Sequence, residues 1–343
     1  EVNLGGAAMK QTHDGLLGIL ELEEARYGEM LRKGGNVINT QLKSLPKDAV
    51  RIPDEILFNM NDSHGLAPDM AVSLARRAGW SSVSVRTGFA AEMAERHATL
   101  AKQAAQAVEV QPLVAEQLTV PATQALYYDD VQQQQFDASV LACLPLIGED
   151  VPDGATHAIV MDKTCFYPEG GGQEGDHGVL STDSIHCTVL DTRKVGPHVL
   201  HLTDGPFDKG DLVHGSLDWK RRKQLMDHHT AVHIVGGAAR RVLGPHIYQA
   251  GANKSVDMAR LDITHFHRLT RDDLDAIEAL ANEVLGQVQR TEKTELNRKD
   301  ADKKYGFDLY QGGAPKGSSI RILRIADHDI QACGGTHHDE PGQ

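Results

Sequence analysis

His229 and His233 stand four residues apart in Asp227-His228-His229-Thr230-Ala231-Val232-His233. On a helix this spacing sends both imidazoles from one face in successive turns, the geometry of a two-pronged metal clip. The pair by itself fits two surface histidines equally well. Cys333-Gly334-Gly335-Thr336-His337 shifts that balance, because two glycines let a loop fold until thiolate and imidazole converge. Two histidines, a cysteine and a further histidine form the donor set of tetrahedral zinc and are too soft for magnesium or calcium. His229, His233, Cys333 and His337 are therefore the expected ligands of Zn2+, and the spacing of His228 and His338 fits less well. Four protein donors describe a closed structural site, whereas a weak or displaced donor leaves a position for water or substrate.

Positioning these donors requires a helix and a strand end. Residues 221–243, closed by Gly244, read as the helix, with Leu225, Val232, Val235, Ala239 and Val242 facing a core and Gly236 and Gly237 on the imidazole side. A second helix is expected at 271–288, and a final strand at 320–325 leads through Asp327-His328-Asp329 into Cys333. Upstream, short β-branched runs at 139–146, 157–161, 186–190, 199–202 and 213–217 alternate with Gly170-Gly171-Gly172, Asp153-Gly154, Asp204-Gly205 and Lys209-Gly210. That is the pattern of a small barrel or sandwich. The first third reads as helical. Residues 13–34 form a helix stopped by Gly34-Gly35, Asp62-Ser63-His64-Gly65 a turn, 68–78 a helix and 92–117 an exposed connecting helix, with a linker at 117–123 around Pro121. The fold class is α+β in three parts: a helical segment over 1–117, a small β-barrel subdomain over 118–217, and an α/β metal-binding domain with an antiparallel sheet over 218–343.

Composition limits the function classes. The chain has 343 residues, with 35 Lys+Arg against 48 Asp+Glu and a net charge of −13, which speaks against a generic polyanion binder but leaves room for a local basic face. Four cysteines are too few to staple a scaffold of this size. No apolar run approaches the ~18 residues of a membrane span, and the chain reads as cytoplasmic with no membrane partner. It opens on Glu1 with no complete domain pattern in its first lines, as a fragment of a longer protein would.

His229–His233 followed by Cys-Gly-Gly-Thr-His resembles the editing domain of alanyl-tRNA synthetases and their free-standing relatives. The flanking blocks agree: Asp162-Lys163-Thr164-Cys165-Phe166-Tyr167-Pro168-Glu169-Gly170-Gly171-Gly172-Gln173, His246-Ile247-Tyr248-Gln249-Ala250-Gly251 and Ala259-Arg260-Leu261-Asp262-Ile263-Thr264-His265. Tyr305-Gly306-Phe307 and Tyr310-Gln311-Gly312-Gly313 are similar to the archaeal form, and residues 58–65 to the family's tRNA-recognition segment. The resemblance therefore covers essentially the whole chain.

The resemblance implies hydrolysis of serine or glycine wrongly esterified to tRNA(Ala). A synthetic pocket for alanine cannot sterically exclude glycine and only modestly rejects an added hydroxyl, so such a site is needed. It makes the parts the end of the tRNA-recognition domain, a barrel, and a zinc-dependent deacylase. Gln249 is expected to position substrate or water, and Thr164, Gly170, Gly171, Gly172 and Gln173 to line the pocket. The ATP-binding core and the oligomerisation domain of the family lie outside these residues, so the chain should not activate alanine, and the parent is expected to be a homo-oligomer. Val232 stands where the family commonly carries Thr, which removes a hydroxyl from the pocket. Two other classes remain open: a non-catalytic tRNA-binding zinc module, and an editing domain of the threonyl-tRNA synthetase type. Lys220-Arg221-Arg222-Lys223 is either a solvated face or a dock for acceptor-stem phosphates, with Arg240 on the histidine side of the same helix. Asp62 either caps the helix at Pro68 or, as in the family, accepts a hydrogen bond from a guanine amine in the acceptor stem.

Overall fold

The computed structural model describes residues 6–96, 118–146, 151–287, 290–311, 313 and 317–340. The chain divides into two compact units, Glu1–Glu109 and Val110–Gln343. Its secondary structure is mixed helix and sheet, an α+β fold. No helix among the described residues is long and apolar enough to cross a membrane.

The first unit consists of α1 (Gly6–Gln41), α2 (Asp54–His64) and α3 (Pro68–Arg77), packed around Ile38, Leu57, Met60, Leu66, Trp80 and Phe89. The expected stop at Gly34-Gly35 does not occur, and α1 continues to Gln41. A Cβ on Gly34 would lie 2.6 Å from Leu66 Cδ1, so this glycine serves close packing and does not end the helix. The turn expected at Asp62 is also corrected. Asp62 lies in the last turn of α2, which Gly65 closes at φ 65°, and α3 begins after Ala67 with no side-chain cap, so Asp62 does not cap it. The Asp62 carboxylate lies 4.0 Å from Arg96. Most of the connecting helix expected over 92–117 falls outside the described residues.

The second unit opens with β1 (Gln124–Ala125), which pairs with β4 (Lys163–Thr164). A closed barrel follows, built from β2 (Gln135–Pro145), β3 (His157–Met161), β5 (Gly178–Ser181), β6 (His186–Val195), β7 (His198–Thr203) and β8 (Leu212–Leu217) in the order β2-β3-β7-β6-β5-β8. The long β2 closes the ring by pairing with β8 through its first half and with β3 through its second, with a register shift between Val140 and Ala142. Phe136, Val140, Ile159, Met161, Phe166, Leu180, Val189 and Val213 fill the interior. The sequence reading missed β5, which is four residues long and offers too little alternation to register as a strand.

Within this core His201 is fully buried. Its Nδ1 faces the Ile159 carbonyl at 3.0 Å and must donate, so Nε2 accepts from Thr164 Oγ1 at 2.8 Å, and that hydroxyl in turn accepts the Phe166 N–H at 3.0 Å. The network needs a neutral imidazole, and burial pushes the His201 pKa down to about 4 from 6.5. The unfolded chain takes up this proton first as pH falls, so the contribution is complete above pH 6.5 and is lost between 6.5 and 4. Its size is about 3 kcal/mol. Urea unfolding of wild type and His201→Gln across that window should show the wild type losing stability more steeply; parallel curves would contradict the assignment.

After the barrel come α4 (Trp219–Leu243), a hairpin of β9 (Gln249–Lys254) and β10 (Ala259–Ile263), and α5 (Arg271–Gln287). An antiparallel sheet completes the unit, with β12 (Ser319–Ile325) between β11 (Thr291–Asn297) and β13 (Asp329–Ala332), and α6 (Arg298–Tyr305) in the β11–β12 connection. Ile234, Ala238 and Ala239 of α4 share a core with Ile277 and Ala281 of α5 and Leu323 and Ile325 of β12. The expected apolar stripe on α4 is corrected at one position: Val235 is 39% exposed, and Ile234 is buried in its stead. Because α4 is covered on several sides, its apolar residues do not fall on a single stripe.

Candidate metal centre

Asp218 begins α4 by accepting the Arg221 N–H at 3.0 Å, and three turns further on His229 and His233 project together with their rings stacked at 5.4 Å. The opposing donors arrive from the end of β13, where the Cys333 N–H bonds the Arg321 carbonyl at 3.0 Å. The loop then passes close over His229. A Cβ on Gly335 would sit 2.1 Å from His229 Cε1, so only glycine allows this approach. One donor atom from each of His229, His233, Cys333 and His337 lies within 4.8 Å of the others. Cys333 Sγ is 3.4 Å from His229 Nε2 and 3.2 Å from His337 Nε2. Bonds of about 2.0–2.3 Å to a tetrahedral zinc imply donor separations of roughly 3.3–3.8 Å, so the cluster can hold a metal ion and is compatible with zinc.

Two of the three rings are aimed by a second group. Gln173 is fully buried, and its Oε1 accepts from His229 Nδ1 at 2.7 Å and from the Thr336 N–H at 3.2 Å while its Nε2 donates to Thr336 Oγ1 at 2.9 Å. The His229 proton is thereby held on Nδ1, and Nε2 is free to ligate. Asp329 does the same for His233, with Oδ2 3.1 Å from Nδ1. Such carboxylate–histidine pairs fix the tautomer and raise ligand basicity. His337 Nδ1 is buried without a partner among the described residues.

The four groups perturb one another's proton affinity. Burial pushes the Cys333 thiol up, but His229, His337 and His233 outweigh it and hold the group well below its usual range. Burial lowers His229 to about 4 and His337 well below its usual value. Burial also opposes charge on His233, but the Cys333 thiolate and Asp329 prevail and raise it to about 9.

The remaining expected residues have varied placements. Gly171 and Gly172, at φ 60° and 74°, form a tight two-residue turn closed by Gly170 and Gln173, whose backbones exchange two 3.0 Å hydrogen bonds. A Cβ on Gly172 would lie 2.2 Å from the Ala252 carbonyl oxygen, so the turn docks closely on β9 and delivers Gln173 to His229. Gln249 lines a 20 Å³ cavity with Val232, Gly236, Arg240 and Asp329, room for about one water. The Thr164 hydroxyl is fully buried and lies 2.8 Å from His201 Nε2.

Arg222 is also corrected. It is fully buried and paired with Asp176 through Nε at 2.9 Å, and cannot reach a phosphate. Arg221 pairs with Glu174 at 2.8 Å and Lys223 with Asp227 at 3.3 Å, leaving Lys220 the exposed cation of that run with no carboxylate partner among the described residues. His228 bonds the Ser255 carbonyl at 2.7 Å, and His338 lies 2.6 Å from Asp227. Sequence reasoning missed two residues here. Asp329 was visible in Asp327-His328-Asp329 but had no evident partner. Lys254 is 1% exposed and donates to the Gly171 carbonyl at 2.8 Å. Burial lowers its pKa, and no spacing rule signals a lysine of this kind.

Residues 5–221 match the family described as tRNA synthetases class II (A), and the chain belongs to that family. It is similar along 97% of its length to alanine–tRNA ligases of archaea: 42% identical over 340 residues to that of Pyrococcus furiosus and 41% over 339 to that of Thermococcus kodakarensis. The ligase of Halorubrum lacusprofundi is 38% identical over 333 residues. The chain spans 35% of the length of each of these relatives.

Proposed function

We propose that this chain hydrolyses the ester of tRNA(Ala) wrongly charged with serine or glycine, using zinc held by His229, His233, Cys333 and His337. The observation that carries the reading is the convergence of these four donors, two of them aimed by Gln173 and Asp329, beside a water-sized cavity bearing Gln249. The relatives are named alanine–tRNA ligases, and that name, carried to this chain, makes tRNA(Ala) its RNA.

An aminoacyl ester is already activated, so the site has mainly to place a water and stabilise the developing oxyanion. A bound zinc supplies Lewis acidity toward oxygen and lowers the pKa of a bound water. Gln249 holds or orients a water at the cavity wall, separated from the ring of His233 by Asp329. Gln173 and the Gly170–Gly172 turn keep His229 in its ligating tautomer, and Lys254 keeps that turn in place. Lys220 and Arg240 supply phosphate contacts, and Asp62 reads the acceptor stem. The parent acts in the cytoplasm.

The test is single-turnover ester loss from seryl-, glycyl- and alanyl-tRNA(Ala). Seryl and glycyl esters should be cleaved faster than alanyl. Gln249→Ala should leave zinc content unchanged and slow the seryl reaction about tenfold, or about 1.4 kcal/mol of transition-state stabilisation. Equal rates on all three esters would refute editing, and an unaffected Gln249→Ala would return that side chain to a structural role. Tight tRNA binding with no ester loss would leave a zinc-stabilised binding module in place of a hydrolase.

A further inference from the structure

A second cavity, of about 440 Å³, is bordered by Arg240 and Arg241 of α4, Lys304 of α6, Arg324 of β12, Asp327 and Asp329 around the β12–β13 turn, and Asp308, whose carboxylate accepts the Tyr248 hydroxyl at 2.7 Å. Four cations face one space in a chain with a net charge of −13. Arg324 is neutralised by Asp327 at 2.7 Å. The other three pair with no carboxylate among the described residues. Arg240 Nε donates to the Ile247 carbonyl at 3.0 Å while its Nη2 is buried with no partner, Arg241 donates to the Asp327 carbonyl, and Lys304 lies 4.8 Å from the centre of the Tyr305 ring. Unneutralised cations around a concave space, one with an unsatisfied buried donor, are the converse of an anion.

We infer that this cavity seats a backbone phosphate of an RNA strand whose 3′ end lies at the metal centre. The guanidinium fork matches two phosphate oxygens, and Lys304 adds a point charge. An extended strand fits better than a compact anion because the cavity does not stand alone. It shares Arg240 and Asp329 with the water-sized cavity that holds Gln249, and Asp329 in turn holds His233. A phosphate seated here fixes the strand one side chain away from the donors. The inference rests on the proposed hydrolytic reading for the choice of RNA, while free phosphate shares the same chemistry.

The test uses the full zinc-loaded chain and a short single-stranded RNA with a free 3′ hydroxyl and no ester, followed by fluorescence anisotropy at several salt concentrations. Arg241→Ala/Lys304→Ala removes two exposed side chains and should keep the wild-type melting temperature and zinc content. Binding should weaken about tenfold at low salt, and the slope of log affinity against log salt should shrink by about 1.4, at about 0.7 per lost contact. Lys304→Ala alone should give about half that change in slope. An unchanged affinity and slope in the double variant would overturn the inference. Inorganic phosphate should displace the RNA no better than chloride of equal ionic strength; preferential displacement would assign the cavity to free phosphate and overturn the claim for a strand. Because the probe carries no ester, charge-dependent binding by a chain that cleaves nothing would sink the hydrolytic reading alone.

Discussion

Cys333→Ala is expected to take the chain from about one bound zinc to nearly none and to destabilise the second unit sharply. Cys333 is the anionic donor, and its Sγ stands within 3.4 Å of two imidazole nitrogens, so its loss removes the charge that offsets a buried dication. Structural zinc sites in small peptides contribute about 10–16 kcal/mol, and this binding energy is also folding energy. The loss should fall on the layer made by α4, β12 and β13, because the donors tie α4 to the end of β13. The helical first unit has its own core around Leu57, Met60 and Phe89 and should melt as before. Elemental analysis with thermal unfolding tests this. Full zinc retention in Cys333→Ala would show that the donors are misassigned.

Arg222→Ala should cost about 3–5 kcal/mol without touching the metal donors. Arg222 binds Asp176 through Nε and Nη2, and Nη2 also donates to the Cys165 carbonyl at 2.6 Å. Asp176 additionally accepts the Tyr167 N–H at 2.6 Å. The pair joins the first turns of α4 to the loops around the barrel, and both side chains are essentially inaccessible, at 0% and 1%. Truncating the arginine strands a buried carboxylate. Replacing both partners, as Arg222→Met/Asp176→Leu, should recover most of the loss, since well-packed apolar pairs substitute for buried ion pairs with little penalty. A loss under about 1 kcal/mol for Arg222→Ala in urea unfolding would show that the pair contributes little.

Arg222 also shows where reading the sequence falls short. In Lys220-Arg221-Arg222-Lys223 all four cations look alike, but helical rotation turns the third inward to an aspartate 46 residues away in sequence. Spacing cannot supply that partner. The convergence of the four candidate donors was legible because i, i+4 histidines and a Cys-x-x-x-His loop carry geometric meaning in the sequence itself. The groups that aim the donors were legible only in part. Gln173 stood in a recognisable block, though its placement against His229 depends on a turn docking onto β9. Asp329 and Lys254 needed the tertiary fold. Of the barrel strands, β3, β7 and β8 were found nearly at their bounds and β2 and β6 only in part, whereas the short β5 and the polar β11 were not read. Gly34 misled for a physical reason: within a helix, glycine signals either an end or a close contact, and only Leu66 decides which.

The most direct measurement of the central claim is single-turnover hydrolysis of seryl-tRNA(Ala) by one preparation in three states: zinc-loaded, stripped by chelator, and reloaded with zinc. Ester loss is expected in the first, loss of that activity in the second with tRNA still bound through the cationic contacts, and recovery in the third. Equal hydrolysis with and without zinc, or none by the zinc-loaded chain, would contradict the claim.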